Sequence, residues 1–325
     1  MAILVTGAAG FIGYHVAQAL LARGERVVGV DNLNPYYDVR LKQARLARLE
    51  AQAGFAFHRA DIADRDAMAT LVARHGGFDR IVHLAAQAGV RYSMQDPWSY
   101  VSANVAGHLA MLEMARNMPK CQHLVYASSS SVYGANHSVP FRESDRVDTP
   151  LSLYAATKRA DELMSHAYSH LYGIRQTGLR FFTVYGPWGR PDMAYFSFAR
   201  AILRGEPVTL SDAGRLRRDF TYVDDIVAGV VGALDRPPPD GRVPRLLNIG
   251  NSRSEAVSDL VALLEQALGR KAVRVEAARP LADVEETFAS VDAIQELTGF
   301  VPSTPLSVGI PCFAAWYLEW AAQEK

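Results

Sequence analysis

The sequence predicts an α/β protein built on a doubly wound parallel sheet, with a smaller second lobe toward the C-terminal end. Short apolar runs alternate with helical patterns through the first half of the chain. These runs lack the in–out alternation of half-exposed strands, as is typical of strands that helices cover on both faces. A glycine-rich turn directly follows the first run. Together these observations indicate a parallel sheet whose ligands bind at its carboxyl edge.

The elements follow one another in a regular order. The predicted strands cover residues 3–5, 27–30, 55–57, 81–85, 123–127, 177–181 and 246–249. The predicted helices cover residues 12–23, 39–53, 65–74, 100–118, 154–172, 259–267 and 308–322. The alternation stops after Phe182, where glycine, proline and aromatic residues become frequent. We therefore expect a dinucleotide-binding domain of residues 1–182 plus 222–249, and a discontinuous substrate lobe of residues 183–221 plus 250–325.

Composition narrows the class of protein. The chain has 325 residues, 49% of them hydrophobic, and 34 basic against 34 acidic residues, so its formal net charge is zero. This balance removes the usual electrostatic case for nucleic-acid binding. Cys121 and Cys312 have no paired spacing, the histidines have no metal-ligand spacing, and no apolar run is long enough to span a bilayer. We expect a soluble cytoplasmic protein that binds no nucleic acid, membrane or metal.

The turn after the first strand has the spacing G-x-x-G-x-x-G, formed by Gly7, Gly10 and Gly13. One glycine permits the tight turn, another lets the backbone approach a pyrophosphate, and the last lets helix and strand pack closely. Backbone amides of this turn, with Phe11 and Ile12 opening the helix, would hold the pyrophosphate at the positive end of that helix. The turn predicts a Rossmann-type dinucleotide site.

Asp31 ends the second predicted strand. A carboxylate at this position accepts hydrogen bonds from the adenosine ribose hydroxyls and repels a 2′-phosphate. The sequence therefore favours NAD over NADP as the cofactor.

Three residues indicate catalysis at the same edge of the sheet. Tyr154 and Lys158 stand four residues apart in a helical stretch, so both side chains lie on one face. A phenol loses its proton near pH 10 in water, and a neighbouring ammonium stabilises the phenolate, which makes tyrosine a usable base. A serine cluster at residues 128–131 ends the fifth strand, and Ser129 is placed to hydrogen-bond a reacting hydroxyl.

Four features together resemble one family: the glycine turn, the serine cluster before Val132-Tyr133-Gly134, the Tyr154/Lys158 pair, and Leu179-Arg180-Phe181-Phe182-Thr183. The chain resembles the extended short-chain dehydrogenases/reductases of nucleotide sugars, the NAD-dependent epimerase/dehydratase family, over nearly its whole length. Longer strings at residues 31–38, 83–93 and 185–193 are most similar to the UDP-glucuronate 4-epimerase branch.

The resemblance implies further site residues. Around the cofactor these are Asn32, Asp61, Ile62, Leu84, Ala85 and Ala86. Around the substrate, Ser129, Ser130 and Ser131 would contact the sugar, and Thr183 would contact the sugar or the diphosphate. The others are Arg91 and Arg190 as candidates for the C6 carboxylate, Arg218 at the diphosphate, and Asp283 near the uridine ribose. Asn104 either holds a conformation or contacts the substrate. The family often has Pro-Gly-Asp where this chain has Leu281-Ala282-Asp283, which leaves the second phosphate-binding arginine open.

The implied reaction interconverts UDP-glucuronate and UDP-galacturonate through a 4-keto intermediate, by transient hydride transfer to bound NAD. The alternatives are a UDP-glucose/UDP-galactose 4-epimerase, a UDP-glucuronate decarboxylase or related dehydratase, and a catalytically silent NAD-sensing protein on the same fold. Decarboxylases and dehydratases that resemble this chain carry a glutamate immediately before Val-Tyr-Gly, where this chain has Ser131. The helices at 100–118 and 154–172 resemble the pair of helices that forms a homodimer interface in the family. Both carry extra apolar residues, which are Leu109, Met111, Leu112 and Met114 on the first and Leu163, Met164, Tyr168 and Leu171 on the second.

Overall fold

A computed structural model describes residues 2–279 and 284–323. Its strands are β1 (Ile3–Thr6), β2 (Val27–Asp31), β3 (Phe55–Arg59), β4 (Arg80–His83), β5 (His123–Ser129), β6 (Gln176–Phe181), β7 (Thr183–Tyr185), β8 (Pro207–Ser211), β9 (Arg217–Arg218), β10 (Phe220–Tyr222), β11 (Arg245–Ile249), β12 (Glu255–Ala256) and β13 (Val273–Ala277). Seven of them form the central sheet in the order β11-β6-β5-β4-β1-β2-β3. All neighbouring pairs in this sheet are parallel. The predicted fold class, a doubly wound Rossmann-type sheet, is confirmed.

The helices are α1 (Phe11–Ala22), α2 (Val39–Glu50), α3 (Arg65–His75), α4 (Pro97–Tyr100), α5 (Gly107–Arg116), α6 (Leu153–Tyr172), α7 (Ala194–Arg204), α8 (Val223–Leu234), α9 (Val257–Leu268), α10 (Asp292–Thr298) and α11 (Leu306–Gln323). A π-helical segment, Val101–Ala106, joins α4 to α5. In the described part of the chain, no helix combines the length and the apolar character needed to cross a bilayer.

Two apolar cores lie on opposite faces of the sheet. Odd-numbered residues of β1, such as Ile3 and Val5, point into a core with α1, α2 and α8. Leu4 points to the other face, where it packs in a core with α3 and α5. This division follows from the two-residue period of a strand, and it explains why Ile3, Leu4 and Val5 of β1 are all apolar.

Smaller strand pairs lie beyond the carboxyl edge of the central sheet. β7 pairs with β10, β8 pairs with β13, and β9 pairs with β12. The helices α7, α9 and α11 pack with one another beside them. Their buried side chains continue the core that α1, α2 and α8 form on one face of the sheet.

The helix α6 is defined at both ends by its sequence. Ser152 precedes it, and its hydroxyl accepts a hydrogen bond from the amide of Ala155 at 3.1 Å. Gly173 ends it with φ of +68°, a left-handed conformation that glycine adopts without strain. These caps fix the register of the helix that carries Tyr154 and Lys158.

Candidate active site

A cavity of about 530 Å³ opens at the carboxyl edge of the sheet. It lies where the strand order reverses between β1 and β4, the position at which open α/β sheets bind ligands. The glycine turn after β1 lines one end, and Thr183, Arg190 and Met193 line the other. The serine cluster, Tyr154 and Lys158 also line it.

The glycine turn packs tightly against the protein's own backbone. Gly7 has φ of +70°, and a Cβ there would lie 2.9 Å from the amide nitrogen of Ala85. A Cβ on Gly13 would lie 2.1 Å from the carbonyl oxygen of Gly7. Side chains are therefore excluded from both positions. The bare backbone at the start of α1 matches the cradle that a dinucleotide pyrophosphate requires.

Asp31 lines the cavity at the end of β2 and is buried. Its Oδ2 accepts a hydrogen bond from the amide of Ala9 at 3.2 Å, and its Oδ1 accepts one from the amide of Leu33 at 2.8 Å. Lys42 of α2 lies 3.7 Å from the same carboxylate. Each oxygen keeps acceptor capacity for a ribose hydroxyl, because a carboxylate oxygen has two lone pairs.

Lys158 is held from two sides. Its Nζ donates to the carbonyl oxygen of Ala127 at 2.9 Å and to Oδ2 of Asp161 at 3.1 Å. Both members of the ion pair are almost completely buried. Burial raises the pKa of the Asp161 carboxyl to about 6, although the charge and hydrogen bond of Lys158 act in the opposite direction. The ammonium of Lys158 is thus fixed one helical turn from Tyr154.

Two buried histidines lie behind this pair and remain neutral. His83 at the end of β4 stacks on His108 of α5, with ring centroids 5.3 Å apart. Desolvation lowers the pKa of His83 to about 3 and that of His108 well below its usual value, and the charge of Lys158 adds to both shifts. Lys158 therefore has no second cation in this cluster at neutral pH.

The serine cluster is tied to the same helix through Glu162. Ser128 donates to its carboxylate at 2.6 Å, and Arg180 of β6 donates to both of its oxygens at 2.8 and 3.0 Å. Arg159 of α6 makes a further contact at 3.0 Å. Because charged, bidentate hydrogen bonds are strong and directional, this network holds the end of β5 against α6. It also leaves Ser129, Ser130 and Ser131 facing the cavity.

A charged cluster lies at the end of the cavity beyond the serines. Arg190 donates to both oxygens of Asp192, at 3.0 and 2.5 Å, and the Tyr36 hydroxyl donates to Oδ2 at 3.2 Å. Burial raises the pKa of Asp192, but Arg190 outweighs that effect and the net pKa is lowered. Desolvation raises the pKa of Tyr36 to about 12. Arg190 therefore enters the cavity as a permanent cation with a fixed carboxylate partner.

The structure brings most of the predicted site residues together. Those that line the cavity are Gly7, Gly10, Phe11, Ile12, Gly13, Asp31, Asn32, Asp61, Ile62, Leu84, Ala85, Ala86, Ser129, Ser130, Ser131, Tyr154, Lys158, Thr183 and Arg190. Arg91 and Arg218 are not among the lining residues. Arg218 instead donates to the carbonyl oxygens of Arg217 and Glu285. Asp283 lies outside the described residues.

Asn104 lies in the π-helical segment and is buried. Its Oδ1 accepts from the amide of Gln87 at 2.8 Å, and its Nδ2 donates to the Gln87 carbonyl at 3.1 Å and to the Thr157 hydroxyl at 3.0 Å. It therefore holds the loop after β4 against α6, which is the first of the two roles that the sequence left open.

Gln87 is a cavity residue that the sequence did not single out. It lines the cavity and is 6% exposed, and its Nε2 has no hydrogen-bond partner among the described residues. A buried, unpaired amide is unusual unless a ligand satisfies it. Its only sequence signal is its position just after the fourth predicted strand. Together with the glycine cradle and Asp31, this amide at the cavity wall fits the cavity to a dinucleotide.

The family profile of the NAD dependent epimerase/dehydratase family matches residues 3–250, and the chain belongs to this family. UDP-glucuronate 4-epimerase 2 of Arabidopsis thaliana is 47% identical to it over 336 residues, which cover 99% of this chain and 77% of that protein. A probable UDP-glucuronate 4-epimerase of Rhizobium meliloti is 46% identical over 333 residues, which cover 98% and 97%.

A solved structure agrees with these relatives. UDP-glucuronic acid 4-epimerase from Bacillus cereus, in complex with UDP-glucuronic acid and NAD, superimposes with a TM-score of 0.91 at 34% identity, covering 98% of this chain and 100% of that one. The resemblance inferred from the motifs is thereby confirmed, and the chain is an NAD-dependent enzyme. Within the described ranges, no group of three or more His, Cys, Asp and Glu side chains is placed to hold a metal ion.

Proposed function

We propose that this enzyme is a UDP-glucuronate 4-epimerase, which interconverts UDP-glucuronate and UDP-galacturonate. One observation carries the choice of substrate: Arg190 reaches the same cavity as Tyr154 and the serine cluster. A C6 carboxylate needs a cation or several donors once it leaves water. The names of the relatives from Arabidopsis and Rhizobium support the same substrate.

Tyr154 serves as the base in this proposal. It takes the proton from O4 as C4 is oxidised, and it returns that proton when C4 is reduced again. Lys158 stabilises the phenolate through its fixed ammonium, and Ser129 hydrogen-bonds O4 and orients the proton. When bound, NAD accepts a hydride from C4 and later returns it to the opposite face, so the reaction needs no outside oxidant.

The 4-keto sugar can lose its C6 carboxylate as CO₂. A ketone at C4 lies β to the carboxylate, and such a keto acid readily loses CO₂. Ser131 stands immediately before Val132, and a serine at neutral pH can only donate or accept a hydrogen bond. The neutral hydroxyls of Ser129, Ser130, Ser131 and Thr183 can hold the carboxylate away from alignment with the ketone. Reduction then precedes carbon–carbon cleavage.

Separate incubations with UDP-glucuronate and UDP-glucose test this function. We expect UDP-galacturonate as the dominant product of the first, traces of UDP-pentose, and no accumulation of reduced cofactor. Mass spectrometry and chromatography of a long incubation identify the products. Predominant loss of CO₂ would make the enzyme a decarboxylase, and faster turnover of UDP-glucose would make it a UDP-glucose 4-epimerase.

The remaining substrate contacts belong to the same proposal. Arg218 and Asp283 would contact the diphosphate and the uridine ribose, and Arg91 would approach the sugar when substrate is bound. We also assign residues 1–182 plus 222–249 to NAD binding and residues 183–221 plus 250–325 to the nucleotide sugar. The placement of the glycine turn and Asp31 on the central sheet supports this division.

The enzyme also forms a homodimer in the cytoplasm under this proposal. The adjacent helices α5 and α6 expose Leu109, Leu163 and Leu171 by 39%, 56% and 64%. Exposed apolar side chains grouped on two neighbouring helices favour a protein–protein contact. Met111 and Leu112, which the sequence grouped with them, are buried instead. The unpaired thiols of Cys121 and Cys312 suit a reducing compartment.

A further inference from the structure

Arg45 of α2 joins three separate segments of the chain through one guanidinium. Its side chain is completely buried. Nη1 donates to the carbonyl oxygen of Ala9 at 3.0 Å and to the Tyr37 hydroxyl at 2.9 Å. Nε donates to the carbonyl oxygen of Trp188 at 3.0 Å, and Nη2 donates to that of Gly189 at 2.9 Å. All of its backbone partners belong to the glycine turn or to the segment just before Arg190.

This cation is buried among neutral hydrogen-bond acceptors. In the described ranges, the structure pairs Arg45 with carbonyl oxygens and a phenol, and with no carboxylate within 4.0 Å. Burying a charge costs free energy unless hydrogen bonds and an opposite charge compensate it. Simple stabilisation therefore does not explain an arginine here. An arginine is explained if its planar guanidinium is needed to hold several carbonyl groups at fixed positions.

The segment that the fork holds has little freedom of its own. Trp188 has φ of +60°, a left-handed conformation that is strained for a residue with a side chain. A Cβ on Gly189 would lie 1.9 Å from the Tyr195 hydroxyl oxygen. The side of the segment nearest α1 is fixed as well, because His15 contacts the Pro187 carbonyl at 3.0 Å. The peptide before Arg190 therefore has one conformation, and Arg45 bonds two of its carbonyl groups.

We propose that Arg45 is a positioning residue for the substrate carboxylate. Its guanidinium bonds both the glycine turn and the peptide just before Arg190. It therefore fixes the direction in which the Arg190 side chain enters the cavity, relative to the glycine turn. The inference rests on the proposed function, since it needs Arg190 to contact the C6 carboxylate. Lysine cannot replace Arg45, because an ammonium has no planar fork to span Ala9 and Gly189 at once.

The test is a double-mutant cycle of Arg45→Lys and Arg190→Ala in the NAD-loaded enzyme. We expect Arg45→Lys to raise KM for UDP-glucuronate by about tenfold and to change kcat by less than about threefold, the pattern of lost ground-state binding. Calorimetric Kd values should rise for UDP-glucuronate and stay within about twofold for UDP-glucose, which lacks the carboxylate. In the Arg190→Ala background, Arg45→Lys should produce no further increase in KM.

Arg48→Lys is the matched control. Arg48 lies on the same helix, donates to the Tyr14 hydroxyl at 3.0 Å, and stacks 5.3 Å above the Trp188 ring without joining the fork. Its replacement should leave the preference for UDP-glucuronate unchanged. NAD content and melting temperature are measured for every variant, and Arg45→Gln replaces Arg45→Lys if the lysine variant does not fold.

Additive effects of Arg45→Lys and Arg190→Ala would overturn the inference, and so would equal losses for UDP-glucuronate and UDP-glucose. Either result would make Arg45 a purely structural residue while the proposed function stands. If the wild-type enzyme neither binds nor converts UDP-glucuronate, the proposed function fails, and the role of Arg45 fails with it.

Discussion

The ammonium of Lys158 has three N–H donors, and the protein uses two of them. One donates to the Ala127 carbonyl and one to Asp161. The remaining donor is available to a ligand, because Lys158 lines the cavity. Under the proposed function, the same side chain would hold the nicotinamide ribose and keep its charge near Tyr154.

Replacing Tyr154 by phenylalanine removes the proposed base and nothing else from the cavity wall. We expect kcat to fall by about 10²–10⁴, the usual effect of losing a positioned proton-transfer group. NAD should stay bound, because Lys158 and the glycine turn are unchanged. Steady-state kinetics and the absorbance of released cofactor measure both quantities. Near-normal turnover in Tyr154→Phe would show that another group is the base.

We expect the ion pair of Lys158 to produce an acidic limb in the pH profile of the enzyme. Burial raises the pKa of Asp161 to about 6, so this carboxyl takes up a proton and releases Lys158 as the pH falls through that value. We expect kcat/KM of the wild type to fall below pH 6. In Asp161→Asn the limb should disappear, and activity at pH 8 should be reduced by roughly three- to tenfold.

Activity should rise as the pH increases through 6, whereas the contribution of Asp161 to the free energy of unfolding should fall. The pKa of Asp161 is higher in the folded protein than its ordinary value of 3.8, so the native state binds the proton more tightly than the unfolded state. The buried charge therefore lowers stability above pH 6 and has no such effect below about pH 4. Asp161→Asn removes this charge but leaves the buried ammonium of Lys158 without its counter-ion, so we expect the variant to melt below the wild type at pH 8. A limb that survives the substitution would belong to another group, such as Asp219, whose pKa burial also raises to about 6.

At the level of elements, the π-helical segment Val101–Ala106 adjusts a helix that would otherwise run straight from α4 into α5. Segments of this kind are rare and frequently occur at functional sites. Here the segment places Asn104 against Gln87 and Thr157. The loop after β4 and the catalytic helix α6 are thereby joined by one side chain.

Asn104→Ala should loosen both elements together. The substitution leaves the backbone N–H and C=O of Gln87 without these partners, at a cost of about 1–3 kcal/mol in the free energy of unfolding. We expect weaker NAD retention and a lower kcat, because the substitution affects both the loop after β4, which lines the cavity, and α6. Urea denaturation and cofactor content after gel filtration measure the two effects. Thr157→Ser, which keeps the hydroxyl that Asn104 contacts, is the control, and unchanged NAD content in Asn104→Ala would contradict the assignment.

The central elements were predictable because each follows from a local pattern. Seven apolar runs correspond to seven strands of one sheet, although the edge strand β3 is not buried and β4 ends at His83, two residues before the predicted end. At that point Leu84 bonds the Thr6 carbonyl and the chain passes close over Gly7. The strand pairs β7–β10, β8–β13 and β9–β12 were not predicted. These strands are only two to five residues long, which is too short for a clear alternation of apolar and polar residues.

The same distinction separates the predicted and missed parts of the site. Some site residues were predictable because their spacing to a strand or to each other is fixed. These are Gly7, Asp31 and the Tyr154/Lys158 pair. Arg45 has no such signal, because its partners Ala9 and Gly189 lie far away in the sequence and meet it only in the folded chain. Asp161 looks like an ordinary helix residue until its burial is known.

The whole molecule should depend on the exposed faces of α5 and α6 for its assembly. Replacing both Leu163 and Leu171 by glutamate puts two charges into the proposed interface, where desolvating them is costly. We expect monomers in analytical ultracentrifugation, with NAD content retained because neither side chain lines the cavity. Val243→Glu, at an equally exposed valine in the loop before β11, is the control. A double variant that sediments like the wild type would place the interface elsewhere.

The tryptophan cluster around Trp188 joins segments of the chain that are far apart in the order of synthesis. Trp188 packs against Trp316 and Trp320 of α11, with ring centroids 5.2 and 5.9 Å away. Because synthesis runs from the N-terminal to the C-terminal side, the glycine turn is made long before α11, whose tryptophans pack against the segment that Arg45 joins to the turn. Until β11 is made, one edge of β6 also stays unpaired. Nascent chains therefore present an open strand edge, a state prone to aggregation, and we expect the yield of folded enzyme to depend on chaperones that bind during translation.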